Sequence, residues 1–404
     1  MERTAGNQSM VKENNQQFII EALIKKGATS RAELAKLLKL SAPSVSNNIN
    51  QLLQKKILLE VGEGDSIGGR KPILLDFNYD YGYIIGVDLS SQNLKIALSN
   101  LKPEIIELRT VDISGERNGK SILKLMNATI ADILSKNNLK PRQLFTIVLG
   151  FPGVFNEETG RLIVLPLWLN IWDEVNIREE IVQKFKAKVL IKNDINLAAL
   201  GEARFGVGRD HGNLVYVSID MGVGAGIIIH RQLYEGARLA AGEIGYFSSR
   251  IEDMNFDHRN YGPLESRLAI PGMVAKVKGD LRAGRNSQIL QFVQGDIDQV
   301  DIHVIERAIE ANDSYIMGEI KRFQEELGII LANICTLLDL ELIVLGGKIT
   351  DLGYNFSDSL QEIIQQLTPI GARLSFSSLE HKAVIYGAFA AALDYVSGNI
   401  LRFK

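Results

Sequence analysis

Two short segments of this chain share one build. Ile85-Gly86-Val87-Asp88-Leu89 and Val217-Ser218-Ile219-Asp220-Met221 are β-rich stretches that each place an Asp where a strand would end in a tight turn. A strand-and-turn unit that recurs in this way predicts a duplicated α/β unit with a cleft between the copies. Ligands usually sit in such clefts. The surrounding sequence agrees. Tyr83 to Leu89, Leu94 to Asn100 and Ile105 to Ile113 read as strands, and Ile122, Leu125, Ile130, Ile133 and Leu134 then recur at helical spacing. Leu144 to Gly150 and Val189 to Lys192 add strands to the first copy. In the second, Leu214 to Asp220 turns through glycines and returns as Ile227 to Ile229. A long amphipathic helix carrying Ile316, Ile320, Phe323, Leu327, Leu331 and Ile334 leads into the buried strand Leu342 to Gly347.

This α/β unit does not account for the whole chain. At 404 residues it exceeds one ordinary hydrophobic core, so two or three domains are expected. The single cysteine, Cys335, excludes an internal disulfide framework and a thiolate-rich metal site, and reads as a buried thiol on the long helix. The polar start of the chain lacks the apolar run of a signal peptide, and no segment has the length of a membrane span, which places the chain in the cytoplasm. The net charge of −3 argues against a general nucleic-acid coat. Residues 1–60, however, hold nine Lys/Arg against five acids, a local surplus that allows DNA binding at this end.

The first eighty residues read as three helices and a hairpin. Phe18, Ile19, Leu23 and Ile24 mark a helix from Gln16 to Lys26, stopped at Gly27. Ser30-Arg31-Ala32-Glu33 has the spacing of a capping box for a short second helix. Ser41 caps a third, with Pro43 in its first turn and Val45, Ile49, Leu52 and Leu53 on its buried side. Ser44, Ser46, Asn47, Asn48 and Gln51 are expected on the other side, as short side chains able to reach base edges or phosphates in a major groove. Two strands, Ile57 to Val61 and Ile73 to Phe77, flank Gly68-Gly69-Arg70-Lys71-Pro72. Arg70 and Lys71 would then lie at the tip of a β-wing. A protein-binding adaptor could share this outline, but the polar third helix and basic hairpin, occurring together and in order, favour DNA.

Several residues carry chemistry only in combination. Asp220-Met221-Gly222-Val223-Gly224-Ala225-Gly226 could wrap a phosphate or be a tight hairpin. Gly346-Gly347 could admit a flat ligand or be a plain strand-to-helix turn. Asp194, in Asn193-Asp194, would project at the carboxyl end of a sheet as a base, or serve as a helix N-cap. Glu243 and Glu265 could each accept from sugar hydroxyls.

Taken jointly these residues resemble the ROK family of bacterial repressors and sugar kinases, from about Gln16 to the last helix. The joint match is specific. Glu243-Ile244-Gly245-Tyr246 and Asn260-Tyr261-Gly262-Pro263-Leu264-Glu265 keep the family's separation without a gap. The resemblance implies a winged helix-turn-helix over 1–80 followed, over 81–404, by a two-lobed actin-like fold of the sugar kinase type. The lobes would span approximately 81–195 with the C-terminal helix, and 196–385. It also implies sugar contacts at Asn193, Asp194, Glu243, Tyr246 and Glu265, with Asp194 at the position of the kinase base.

Two departures refine the expectation. Where the kinases carry Asp-x-Gly-Gly-Thr for ATP phosphates, this chain has Asp88-Leu89-Ser90-Ser91-Gln92, with side chains in place of both glycines. Asp88, Gly222, Gly224, Gly346 and Gly347 are then vestiges of a nucleotide site. The family's zinc, held by one His and three Cys, would meet Tyr246, Phe256, His258 and Pro263, of which only His258 could ligate. No zinc or other cofactor is expected, and Phe247, Phe256 and Tyr261 are expected to order that loop instead. The sequence thus predicts a non-catalytic sensor acting as a homodimeric repressor, with palindromic operator DNA and a monosaccharide as partners. Xylose is the first guess, from the resemblance to the family's xylose repressors, with glucose or a related sugar next. The alternative is an ATP-dependent sugar kinase.

Overall fold

The computed structural model describes residues 8–403 except 66–70, 91, 117, 157–160, 165–171, 173–175, 259–260 and 353. Arg70, Ser91 and Asn260 therefore lie outside the described residues.

The N-terminal head comprises α1 (Gln8–Lys26), β1 (Thr29–Ser30), α2 (Arg31–Leu38), α3 (Ala42–Gln54), β2 (Leu58–Glu63) and β3 (Ile73–Phe77), the strands in order β1-β3-β2. Its punctuation is that expected. The Ser30 hydroxyl accepts from the Glu33 amide at 3.3 Å while the Glu33 carboxylate accepts from the Ser30 amide at 3.1 Å, so two otherwise orphaned donors at the start of α2 are satisfied. Ser41 caps α3, with Pro in its first turn. Helix α1 begins at Gln8, earlier than the expected Gln16, because nothing between them breaks a helix and propagation adds a hydrogen bond per residue. Polar sequence with Met10 and Val11 facing solvent hid that extension.

The first lobe contains β4 (Tyr83–Leu89), β5 (Asn93–Asn100), β6 (Ile105–Asp112), α4 (Gly119–Lys136), β7 (Leu144–Phe151), the small ribbon β8 (Val154–Asn156) and β9 (Arg161–Val164), α5 (Ile177–Phe185) and β10 (Lys188–Asn193). Helix α6 (Asp194–Phe205) leads into the second lobe. That lobe contains β11 (Leu214–Ile219), β12 (Val223–Ile229), β13 (Gln232–Leu233), α7 (Pro263–Leu268), α8 (Ile270–Arg282), α9 (Ile289–Phe292), α10 (Ile302–Glu310), α11 (Ser314–Leu338), β14 (Leu342–Gly346), α12 (Tyr354–Leu367) and β15 (Arg373–Phe376). Helix α13 (Ala383–Ser397) returns to the first sheet.

The two sheets repeat one plan. In the order β10-β7-β4-β5-β6, β4 pairs antiparallel with β5 and parallel with β7, which pairs parallel with β10. In β13-β12-β11-β14-β15, β11 stands to β12, β14 and β15 as β4 does to β5, β7 and β10. Strand β4 is covered on both faces, Ile85, Val87 and Leu89 toward α4 and α5 and Ile84 toward α13, which explains its near-continuous apolar run. A single hydrophobic core joins Ile19, Ile20, Leu23, Ile49 and Leu52 of the head to Ile84, Val148, Ile385 and Phe389 beyond it.

The glycines after Asp220 are hairpin rather than loop. Strand β12 starts at Val223, with Gly224 paired to Ser218 and Gly226 to Tyr216. A Cβ on Gly224 would meet Ile195 Cδ1 at 2.5 Å, and one on Gly226 would meet Ala199 Cβ at 2.5 Å, so these bare positions let α6 lie directly on the sheet. Gly346 and Gly347 also have packing reasons. A Cβ on the first would meet the Tyr216 hydroxyl at 1.9 Å, and the second has a φ of +83°.

Candidate functional site

The strand ends that carry Asp88, Asp194 and Asp220 lie near enough for Asp88 to act on Asp194 and Asp220 on Asp88, and β10 delivers Asn193 and Asp194 there. Asn193 is the N-cap of α6: its Oδ1 accepts from the Asn196 amide at 2.9 Å while its Nδ2 donates to the Gly153 carbonyl at 3.2 Å. With the cap filled by Asn193, Asp194 is the first helical residue, and the N-cap role weighed for it falls to its neighbour. Asp194 Oδ1 accepts from the Ile195 amide at 2.9 Å. Burial pushes its carboxyl up to about 7, Asp88 adds to the rise, and the Ile195 amide opposes it.

Five carboxylates surround this space. Glu243 precedes the short turn Ile244–Tyr246, and Glu265 sits in the first turn of α7, its Oε2 accepting from the Val223 amide at 3.0 Å. Burial raises both carboxyls, Glu243 further because of Glu265, and the Tyr246 phenol is raised by burial and by the same two glutamates. The structure therefore brings Asp194, Glu243, Tyr246 and Glu265 together, Asn193 framing them. Asp88 and Asp220 close the other end, both raised chiefly by burial, with Lys95 opposing the first and Lys348 the second. Acceptors so placed suit neutral hydroxyl donors.

Lys95 was missed by sequence reasoning. It stands directly opposite Asp88 in the β4–β5 register, and its Nζ lies 3.3 Å from Asp88 Oδ2 and 2.9 Å from the His381 carbonyl oxygen. The turn beside it is closed by Ser90, whose hydroxyl donates to the Asn93 carbonyl at 3.0 Å, while Gln92 stays exposed. At the departure seen in sequence, Ser90 thus bonds across to Asn93 with its side chain, and an ammonium is held on Asp88. A turn of known length between the two strands would have given the Asp88–Lys95 pairing.

On α3 one expectation is overturned. Asn48 is 6% exposed, and its Nδ2 donates to the Ser44 carbonyl at 2.9 Å. An amide that satisfies itself on its own helix can face the core, and so polarity alone misplaced it. Gln51 is also engaged, accepting from Gln16 at 2.9 Å. Ser44 and Ser46 are half-buried, while Asn47, Lys71 and the unanticipated Asn50 are exposed.

The loop that carries zinc in the family is built differently. Tyr246, Phe256, His258 and Pro263 offer one imidazole and no thiolate, a set that does not fit zinc. Phe256 does gather His258 and Tyr261, at ring distances of 5.6 and 5.9 Å, but Phe247 and Tyr261 are exposed and anchor little. The firmer anchor is ionic. Arg267 Nη1 lies 2.7 Å from the buried Asp253 and its Nε 2.8 Å from Glu326, and Arg250 reaches Glu326 at 2.7 Å. Cys335 is buried on α11, as expected. Among the described residues, no helix is long and apolar enough to cross a membrane.

A xylose repressor from Caldicellulosiruptor bescii is 29% identical over 394 residues, covering 96% of this chain and 98% of that protein. A solved ROK family transcriptional regulator, homolog of the E. coli MLC protein, has a TM-score of 0.80 at 24% identity, covering 97% of this chain and 98% of its own. A ROK family glucokinase from Streptomyces griseus, solved with glucose and AMPPNP, has a TM-score of 0.66 at 22% identity, covering 78% of this chain and 100% of its own. The fold is accordingly the α/β, actin-like fold of sugar kinases. With the ROK family model matching residues 84–395, the chain belongs to the ROK family.

Proposed function

We propose that this protein is a sugar-responsive transcriptional repressor. Its head is a winged helix-turn-helix over residues 1–80, and its cleft, within 81–404, binds a monosaccharide without phosphorylating it. The observation that carries this reading is the pairing of Lys95 with Asp88 at one end of a cleft whose other end keeps hydroxyl-accepting carboxylates. Sugar contacts are assigned to Asn193, Asp194, Glu243, Tyr246 and Glu265. Xylose is the first effector to try, because the Caldicellulosiruptor bescii relative is named a xylose repressor. A homodimer reading a palindromic operator follows from having one reading head per chain.

The route from cleft to head runs through two helices. Helix α6 starts at Asp194 and packs against α13, with Gly201 and Gly387 at the crossing. The buried Glu202 carboxylate accepts from the Val207 amide at 2.9 Å and the Leu379 amide at 3.0 Å, tying α6 to the segment that enters α13. At the far end of α13, the Ser397 carbonyl accepts from Gln17 of α1 at 2.7 Å. Sugar that favours one closure of the lobes would bias the head through this path, provided its affinity differs between the two states.

Thermal-shift screening against monosaccharides, with and without ATP, tests the reading, together with a coupled assay for ATP consumption. A shift with sugar alone and no turnover is expected; ATP consumption dependent on sugar would establish the kinase alternative. Two further outcomes are expected. Neutralising Arg70 and Lys71 should weaken DNA binding at every sequence and lower the salt slope by about one to two units, measured by titration at several salt concentrations. Elemental analysis should find no stoichiometric zinc, and a chelator should leave the melting temperature unchanged; one zinc per chain would show that other residues hold the metal.

A further inference from the structure

We infer that Asn50 reads a hydrogen-bond acceptor on a base edge and that Arg31 is the positioning residue that fixes this polarity, an inference that rests on the DNA-binding reading of the head. Asn50 lies on the exposed side of α3, one turn beyond the half-buried Ser46. Its Oδ1 accepts from Arg31 Nη1 at 2.8 Å, and the same nitrogen lies 3.4 Å from the Ser46 carbonyl oxygen. Arg31 Nη2 is 3.9 Å from Glu60 of β2, so the guanidinium bridges α2, α3 and the wing strand. Its backbone is held too. Arg31 opens α2 directly after Ser30, which is both the helix cap and the strand partner of Leu74.

A free Asn side chain offers a carbonyl and an amino group, and can pair with adenine through both. Here the Arg31 cation holds the carbonyl oxygen and so sets which way round the amide sits, leaving the amino group as the end able to donate to a base. A lone donor suits guanine O6 or N7, adenine N7 and thymine O4. Cytosine presents only its N4 donor there, so Asn50 disfavours it.

The test is enrichment of full-length protein on random duplex DNA, followed by affinity measurement on the selected sites. The wild type is expected to enrich a sequence with one position per half-site that excludes cytosine. Asn50→Ala should lose that exclusion at that position alone and weaken binding about three- to ten-fold, the effect of one hydrogen bond. Asn50→Asp, an acceptor of the same size, should turn the preference toward cytosine or adenine, whose exocyclic amines donate. Arg31→Met should keep the helix and relax the exclusion, since the amide is then free to turn. A merely structural role for either residue would lower affinity without changing base preference. An exclusion that survives unchanged in Asn50→Ala or Arg31→Met overturns the inference, and a wild type that enriches no sequence overturns the DNA-binding reading and this inference together.

Discussion

Replacing Asp194 with Asn is expected to raise the sugar concentration needed for half-release of operator DNA by about ten- to a hundred-fold, in a protein that still folds and still binds DNA. Asn keeps the size and one acceptor but gives up a charge-assisted hydrogen bond, typically about 1.5 to 3 kcal/mol. The pH dependence separates this from a general loss of structure. The Asp194 carboxyl titrates near 7 in the folded protein, against an ordinary value of 3.8. Between those values the folded state holds a proton that the unfolded state has released, so the residue's contribution to stability falls as pH rises through the window. At pH 8 the wild type carries an ionised group that burial and Asp88 disfavour, and the Asn variant does not. The variant should therefore melt higher than the wild type at pH 8 and at about the same temperature at pH 5. Sugar affinity should move the other way. The ionised acceptor strengthens wild-type binding as pH rises through 7, and the variant's affinity should stay flat. An unshifted release midpoint would remove Asp194 from the sugar site, and a kinase would instead lose turnover while keeping affinity within a few-fold.

What the sequence disclosed, and what it hid, follows from the range of the interactions. The capping box at Ser30 and Glu33, the cap at Ser41 and the strand-to-helix step at Asn193-Asp194 are set by residues three or four apart, and all three were legible. So was the repeated strand ending in Asp88 and Asp220, since a fully covered strand carries its burial as an apolar run. Asn48 was not, because one step around a helix separates it from Asn47 and both are polar. Lys95 needed the register of a hairpin. The Arg267–Asp253–Glu326 network joins residues 59 and 14 positions apart, and no local pattern announces such partners. The alternating glycines at 222, 224 and 226 left a phosphate-wrapping loop and a tight hairpin both open, because bare positions serve an approaching ligand and an approaching helix alike, and Gly224 and Gly226 make room for a helix.

That use of glycine reaches its extreme where α6 crosses α13, and Gly387→Ala is expected to destabilise the protein by about 3 kcal/mol, the upper end of what overpacking costs. A Cβ at Gly387 would stand 1.7 Å from the Leu197 carbonyl oxygen, and one at Gly201 would stand 2.4 Å from the Ala383 carbonyl oxygen. Both obstacles are backbone, so no rotamer change can relieve them; the helices must move apart. The control lies in α8, where nothing comes within 4 Å of a Cβ on Gly279. Gly279→Ala should stabilise by about 0.5 to 1 kcal/mol, the ordinary helical preference for Ala over Gly. Urea unfolding of the three proteins measures the contrast, and a Gly387→Ala midpoint equal to wild type would mean the crossing is looser than its geometry indicates. Separation of the helices also bears on function. The crossing lies between Asp194 and the Gln17–Ser397 contact with the head, so the variant, assayed where it remains folded, should bind sugar near wild-type affinity and release operator incompletely. Full release at the wild-type sugar concentration would show that the cleft reaches the head by another path.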